Sequence, residues 1–350
     1  MTIKLSSNQR DGSNSVSRGN VSPIFVASSV NEIGKYRWDD LVHRAQAPVF
    51  YEWNFVKSIE DNPLTTGAEP FYLYSEGLSG RLSLLTTLYL QTAVNPFGTS
   101  ATPEKMLVGH LWHCYDTRVL TEATITVEQV HALKAEITDL ARKHGAVTCG
   151  LCNIDRSGPL AQTIGIAGFP AVNGASRYSL LPEEGATLSL HLERVGRATR
   201  KTLKHYYRRA QNAGAKISFV PTDRALDEDV LNLCLATANK HAPGYYPPSE
   251  LSVLLRSLGD SCRVLRVELG GVLLAVSICL LDAHAAHFWA GGCLYPDELN
   301  WSPQYVLFAA EIEYGFLSGR SRVEFGRRND EFKKRHGLQA VGLSNWTWSV

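Results

Sequence analysis

The sequence predicts an α/β (α+β) chain of two tandem lobes, each a mixed, mostly antiparallel sheet flanked by helices. Two observations lead there. Hydrophobic periodicity alternates between that of a strand and that of a helix along the whole chain, and one order of elements (hairpin, apolar helix ending in glycine, short strand) occurs twice. A length of 350 residues, 44% of them hydrophobic, suffices for two lobes of ordinary domain size.

Residues 1–20 are polar, rich in Ser, Asn, Gly and Arg, and lack an apolar core, so a disordered tail without a signal peptide is expected. The N-terminal lobe is expected over 21–185. Within 35–59, Trp38, Leu41 and Val42, then Phe50, Trp53, Phe55, Val56 and Ile59, recur at helical intervals. Residues 71–74, a turn-rich stretch at 75–80 and the apolar run 82–90 predict a hairpin. Over 126–143, Val130, Leu133, Ile137, Leu140 and Ala141 mark a helix that stops at Gly145 and leads into a strand at 146–152.

Turn formers between Leu181 and Ala186 place the boundary, and the C-terminal lobe is expected over 186–350. Cys262–Leu269, the Gly270-Gly271 turn and Val272–Leu281 make a second hairpin, extended by a strand at 285–290. Pro303–Leu317 is a helix closed by Ser318-Gly319, and a strand begins at Arg322. Behind that strand stand Arg327, Arg328, Lys333 and Lys334, where open α/β units place ligands.

A formal charge of +1 and a pI near 7.7 say nothing about a polyanionic partner, so charge has to be read locally. Between Arg194 and Lys216 there is no acid. Val195, Thr199, Leu203, Tyr206, Tyr207 and Ala210 form the buried stripe of a helix, leaving Arg197, Lys201, Lys204 and Arg208 on one solvent face. Cation repulsion along such a face costs a few tenths of a kcal/mol per pair, about 0.2–0.5. A phosphate-bearing partner would offset it, as would docking against Asp223, Asp227, Glu228 and Asp229; a merely solvated face is the third reading.

Seven scattered cysteines read as reduced thiols of a cytoplasmic protein. Cys149 and Cys152 form a CxxC without a second pair, and His110-Leu-Trp-His113-Cys114 lacks a carboxylate at ligand spacing, so no metal is expected and both segments read as buried. No apolar run approaches the ~18 residues of a membrane span.

The basic pattern Arg197-x-x-Arg-Lys-x-x-Lys204 with Arg208-Arg-Ala, the Gly270-Gly271 hairpin, Trp301-Ser-Pro303, and Glu324-Phe-Gly326 followed by Phe332-Lys333 together carry a likeness. Residues 186–350 resemble the GNAT-fold acyltransferases of the FemAB-like and CelD-like kind, in which two such lobes stand in tandem; the first half resembles them in element order alone. The resemblance implies an enzyme, an amide-forming acyltransferase without a permanently bound cofactor, that moves an aminoacyl group from aminoacyl-tRNA to an amine of a small molecule or peptide.

It places Lys333 near the acyl-transfer centre, where an ammonium would stabilise the developing oxyanion, a contribution of about 3–4 kcal/mol. Glu324 is the first choice of proton acceptor, beside Asp330, Glu311 and Glu313. Tyr245, Tyr246, Trp301, Ser302 and Phe332 are the expected substrate contacts. Arg197, Arg200, Lys201, Lys204, Arg208, Arg327, Arg328 and Lys334 are the expected contacts to tRNA phosphates. The coiled-coil arm of some Fem proteins has no counterpart here, because no extended heptad run occurs. An acyl-CoA-dependent member would carry a glycine-rich pyrophosphate loop; the matching stretch, 294–303, has no glycine and contains Asp297 and Glu298. Acetyl-CoA as donor, and an RNA-binding protein without catalysis, are the alternatives.

Overall fold

Thirteen strands hydrogen-bond into one sheet in the computed structural model, which describes residues 22–95 and 102–350. The tail expected over 1–20 lies outside the described residues. The first half runs β1 (Ile24–Ala27), α1 (Val30–Ile33), α2 (Lys35–Arg44), α3 (Trp53–Asp61), β2 (Ala68–Glu76), β3 (Leu82–Val94), β4 (Pro103–Gly109), β5 (Leu120–Thr121), α4 (Val127–Lys143), β6 (Thr148–Asp155), α5 (Pro159–Ile166) and β7 (Val172–Leu180). The second runs α6 (Leu188–Arg194), α7 (Arg197–Asn212), β8 (Lys216–Pro221), α8 (Thr222–Ala225), α9 (Glu228–His241), α10 (Pro248–Ser257), β9 (Cys262–Leu269), β10 (Val272–Leu281), β11 (Ala285–Cys293), α11 (Pro303–Leu317), β12 (Arg322–Arg327), α12 (Asp330–Arg335) and β13 (Gln339–Ser349).

Strand order is β1-β2-β3-β4-β6-β13-β7-β12-β11-β10-β9-β8, with β5 beside β3. Pairing is antiparallel except for β4 with β6 and β11 with β12. Parallel neighbours need a crossover, and the chain supplies α4 for one pair and α11 for the other. The local sequence fixes both. Thr126 and Gln129 form a reciprocal capping box at the start of α4, and Pro303 occupies the first turn of α11, where a missing N–H costs nothing.

The strands that close the two halves cross over to each other. β7 ends the first half yet pairs with β12, while the C-terminal β13 lies between β6 and β7. β13 can approach β6 so closely because residue 150 is glycine: with φ at +145°, a Cβ there would sit 2.1 Å from the carbonyl oxygen of Trp346. Helices cover both faces. Trp38, Phe50 and Phe55 from the first half share one core with Leu251, Leu254 and Ile278 from the second. On the opposite face α4 packs Val130, Leu133 and Ile137 over the first half, and α11 packs Val306, Ala310 and Ile312 over the second.

One charged cluster ties the halves together. Arg177 on β7 is only 2% exposed and reaches Asp116 at 3.3 Å, Asp155 at 3.0 Å and Glu324 on β12. Burial pushes the Glu324 carboxyl up against the pull of Arg177. Removing the cation takes from the buried Asp116 and Glu324 carboxylates their closest cationic partner. Arg177→Ala is expected to cost about 3–5 kcal/mol, visible as a lower denaturation midpoint, whereas a loss within ~0.5 kcal/mol would show that the cluster does not hold the halves.

Candidate active site

β11 and β12 pair only over Ala285–His287 and Arg322–Glu324. Beyond them β11 stays on β10 as far as Cys293, while β12 turns away through Gly326 at φ +67°. A cleft of about 350 Å³ opens between them, lined by Trp289, Phe325, Phe332, Glu311 and Lys333 among others. The α9 wall lies tight against β11: a Cβ on Gly292 would sit 2.0 Å from the Leu233 carbonyl oxygen, so only glycine fits.

The turn after β12 is strained. Arg328 and Asn329 both adopt left-handed backbone, at φ +66° and +56°, which costs about 1–3 kcal/mol for each such residue. Lys333 holds it. Its ammonium donates to the carbonyls of Phe325 (2.7 Å), Gly326 (3.1 Å) and Arg327 (2.9 Å) and lies 5.4 Å from the Tyr178 ring. Three donors thus meet three backbone acceptors, and the group contributes a fixed positive field to the cleft rather than a free hydrogen bond. Burial brings its pKa down to about 8, against the opposing charges of Glu311, Asp330 and Glu324.

Glu311, on α11, faces the same cleft. Part of its side chain is accessible, but the surrounding wall desolvates the carboxyl and pushes it up to about 7, with Ser277 and Lys333 pulling it back. A carboxylate near neutrality is suited to taking a proton, and the Lys333 field favours an oxyanion.

Glu324 does not enter this cleft. Successive strand residues face opposite sides of a sheet, so Phe325 points in while Glu324 points to the other face, bound to Arg177. Asp330 is exposed in the first turn of α12. Of the expected substrate contacts, Phe332 lines the cleft. Trp301 is 4% exposed and belongs to the apolar core, and Ser302 is the half-buried cap residue of α11. Tyr246 packs on Trp289 and His113, and Tyr245 lines a different cavity, in the first half.

Among the expected phosphate contacts, Arg197, Lys201, Lys204 and Arg208 are exposed along α7, and Arg200 is half-buried. Among the described residues no acid pairs with any of them; Asp227 instead binds Arg266 at 2.6 Å. Arg327 donates to the Asn153 side chain at 2.9 Å, Arg328 is exposed, and Lys334 is exposed 3.7 Å from Glu331. The β11–α11 junction presents exposed Asp297 and Glu298. All seven cysteines are free, and no helix among the described residues is long and apolar enough to cross a membrane.

Residues 197–334 match the family described as acetyltransferase (GNAT) domain. The fold is similar to that of FemX, at 10% identity over 89% of this chain and 96% of that one, with a TM-score of 0.60. It is also similar to a tandem GNAT protein from the clavulanic acid biosynthesis pathway, at 15% identity over 93% and 98% of the two chains and a TM-score of 0.53. L-PGS from Bacillus licheniformis is similar as well, at 10% identity over 89% and 90% and a TM-score of 0.54. No curated relative matches in sequence. The fold is that of tandem GNAT proteins, and residues 197–334 are an acyltransferase domain.

A raised carboxyl accepts a proton only above its pKa, so turnover should climb as pH rises through about 7, where Glu311 ionises. It should fall above about 8, where Lys333 loses its charge. Glu311→Gln is expected to lower kcat by about 10²–10⁴-fold and to abolish the acid limb; an unchanged profile would remove Glu311 from proton transfer.

Proposed function

We propose that the chain is an amide-forming aminoacyltransferase that moves an aminoacyl group from aminoacyl-tRNA to an amine of a small molecule or peptide in the cytoplasm. The observation that carries the chemistry is the pairing of Glu311 with Lys333 in one cleft between splayed strands. An aminoacyl ester is already activated, so the enzyme has to position it, take the amine's proton and stabilise the oxyanion. Glu311 takes the proton. Lys333 holds the turn and provides the field, and Phe332 contacts the substrate.

The choice of donor rests on charge. Exposed cations on α7, with no acidic partner among the described residues, suit a phosphate backbone. Asp297 and Glu298, exposed in a glycine-free junction, oppose a pyrophosphate where acyl-CoA would need backbone amides. The likeness of Phe332-Lys333 to the FemAB-like motif agrees with an aminoacyl ester. The acyl-CoA reading is favoured by the description of the matched family as acetyltransferase.

Incubation of the chain with labelled aminoacyl-tRNA or acyl-CoA and a panel of amines separates the readings. RNase-sensitive product is expected; product from the thioester alone overturns the aminoacyl-tRNA reading in favour of acyl-CoA. No turnover with either, beside salt-sensitive tRNA retention, would leave an RNA-binding protein. Charge reversal at Arg200, Lys201 and Lys204 is expected to weaken tRNA binding by about tenfold or more and to flatten its salt dependence. An unchanged dissociation constant would return α7 to a solvated face.

A further inference from the structure

Glu311 does not stand alone in the wall of the acyl-transfer cleft. Gln304, Leu307, Phe308 and Glu311 follow one another at helical intervals on α11, and all four line the cleft. The stripe ends at Glu311. One turn further, Gly315 lies so close to β12 that a Cβ there would sit 2.6 Å from Val323 Cγ1.

Opposite the stripe lies β10, whose face toward α11 carries Ala275, Ser277 and Cys279 in alternation. Ala275 and Cys279 belong to the apolar core under α11, as does Leu265, the partner of Ser277 on β9. Burying a hydroxyl in such a row disfavours folding unless another group satisfies it. Ser277 is 3% exposed, and the group beside it is the Glu311 carboxyl.

Strand register keeps this pair open to the cleft. On its other side Ser277 pairs with Gly291 of β11, which carries no side chain to cover it. A Cβ at Gly291 would lie 2.5 Å from the Val276 carbonyl oxygen, so the position admits only glycine. Next to this pair the register shifts by one residue, between Ile278 and Cys279. A bulge of this kind re-aims the strand, and the residue it leaves unpaired, Trp289, also lines the cleft.

We propose that Ser277 is a positioning residue of the acyl-transfer centre: its hydroxyl donates to one oxygen of the Glu311 carboxylate and leaves the other turned toward the amine. The inference rests on the reading of Glu311 as proton acceptor. A donor to the charged form favours that form, so Ser277 draws the Glu311 carboxyl back toward neutrality against the burial that raises it. Other titratable groups face Glu311 from the elements around it. Lys333 of α12 favours the carboxylate as well. Cys279 of β10, Cys293 of β11 and Tyr295 are held protonated by burial, and Lys240 of α9 lines the same cleft.

Infrared spectroscopy of the full chain, taken as a difference against Glu311→Gln across pH, reads the protonation of Glu311 without any donor or amine. The protonated-carboxyl band should disappear with a midpoint of about 7 in the unsubstituted chain. Ser277→Ala should move that midpoint up by about one unit, and Ser277→Thr, which keeps the hydroxyl, should restore it. In turnover the same shift predicts a Ser277→Ala loss of about tenfold one pH unit below the original midpoint and about twofold one unit above it. A midpoint that moves while no amine is acylated by any donor upholds the placement of Ser277 and counts against the reading of the reaction alone. A midpoint unchanged in Ser277→Ala, or a loss of turnover equal at every pH, overturns the proposal.

Discussion

Parallel pairing between β11 and β12 lasts three residue pairs and then stops, and the arrangement of the C-terminal half follows from that stop. A sheet that continued would bury its backbone groups in a ladder and leave no room for a ligand. Here β11 remains on β10, β12 bends away at Gly326, and side chains from β11, α11 and α12 line the space between. The bend is costly in left-handed residues, and a lysine ammonium anchored on three consecutive carbonyls offsets that cost. Lys333 therefore stabilises the turn and charges the cleft at once.

The halves are not beads on a string. Their terminal strands are exchanged across the middle of the sheet, their helices α3 and α10 share one core, and Arg177 binds carboxylates from both. Such a joint fixes the two halves relative to each other. The C-terminal cleft and the N-terminal cavity meet at Trp289 and at the turn carrying Arg327 and Asn329.

Elements with strong local signals were legible in the sequence. α4 and α11 announce themselves by periodic apolar residues and by capping or proline starts, and the Gly270-Gly271 hairpin by its turn. The strands of the joint were not. β7 begins with exposed Val-Asn-Gly-Ala and β13 mixes Gln, Ser, Asn and Trp, because both lie mid-sheet with faces only partly covered. The helices α9 and α10 also escaped notice, their apolar faces being interrupted by Asn, Thr and Ser.

The site was legible to the resolution of a segment. Phe332 and Lys333 could be placed at the cleft from their position behind a strand, but strand parity decides which acid joins them. Parity turned Glu324 to the other face and left Glu311, one of two acids on its helix, facing Lys333's cleft. Trp301 was expected at the substrate and is core, a distinction that depends on how the junction folds back on α11. The most direct measurement is a structure solved with a non-hydrolysable aminoacyl-ester analogue of the donor terminus. The account predicts its carbonyl carbon between β11 and β12, within reach of Glu311; an analogue bound outside that cleft would contradict it.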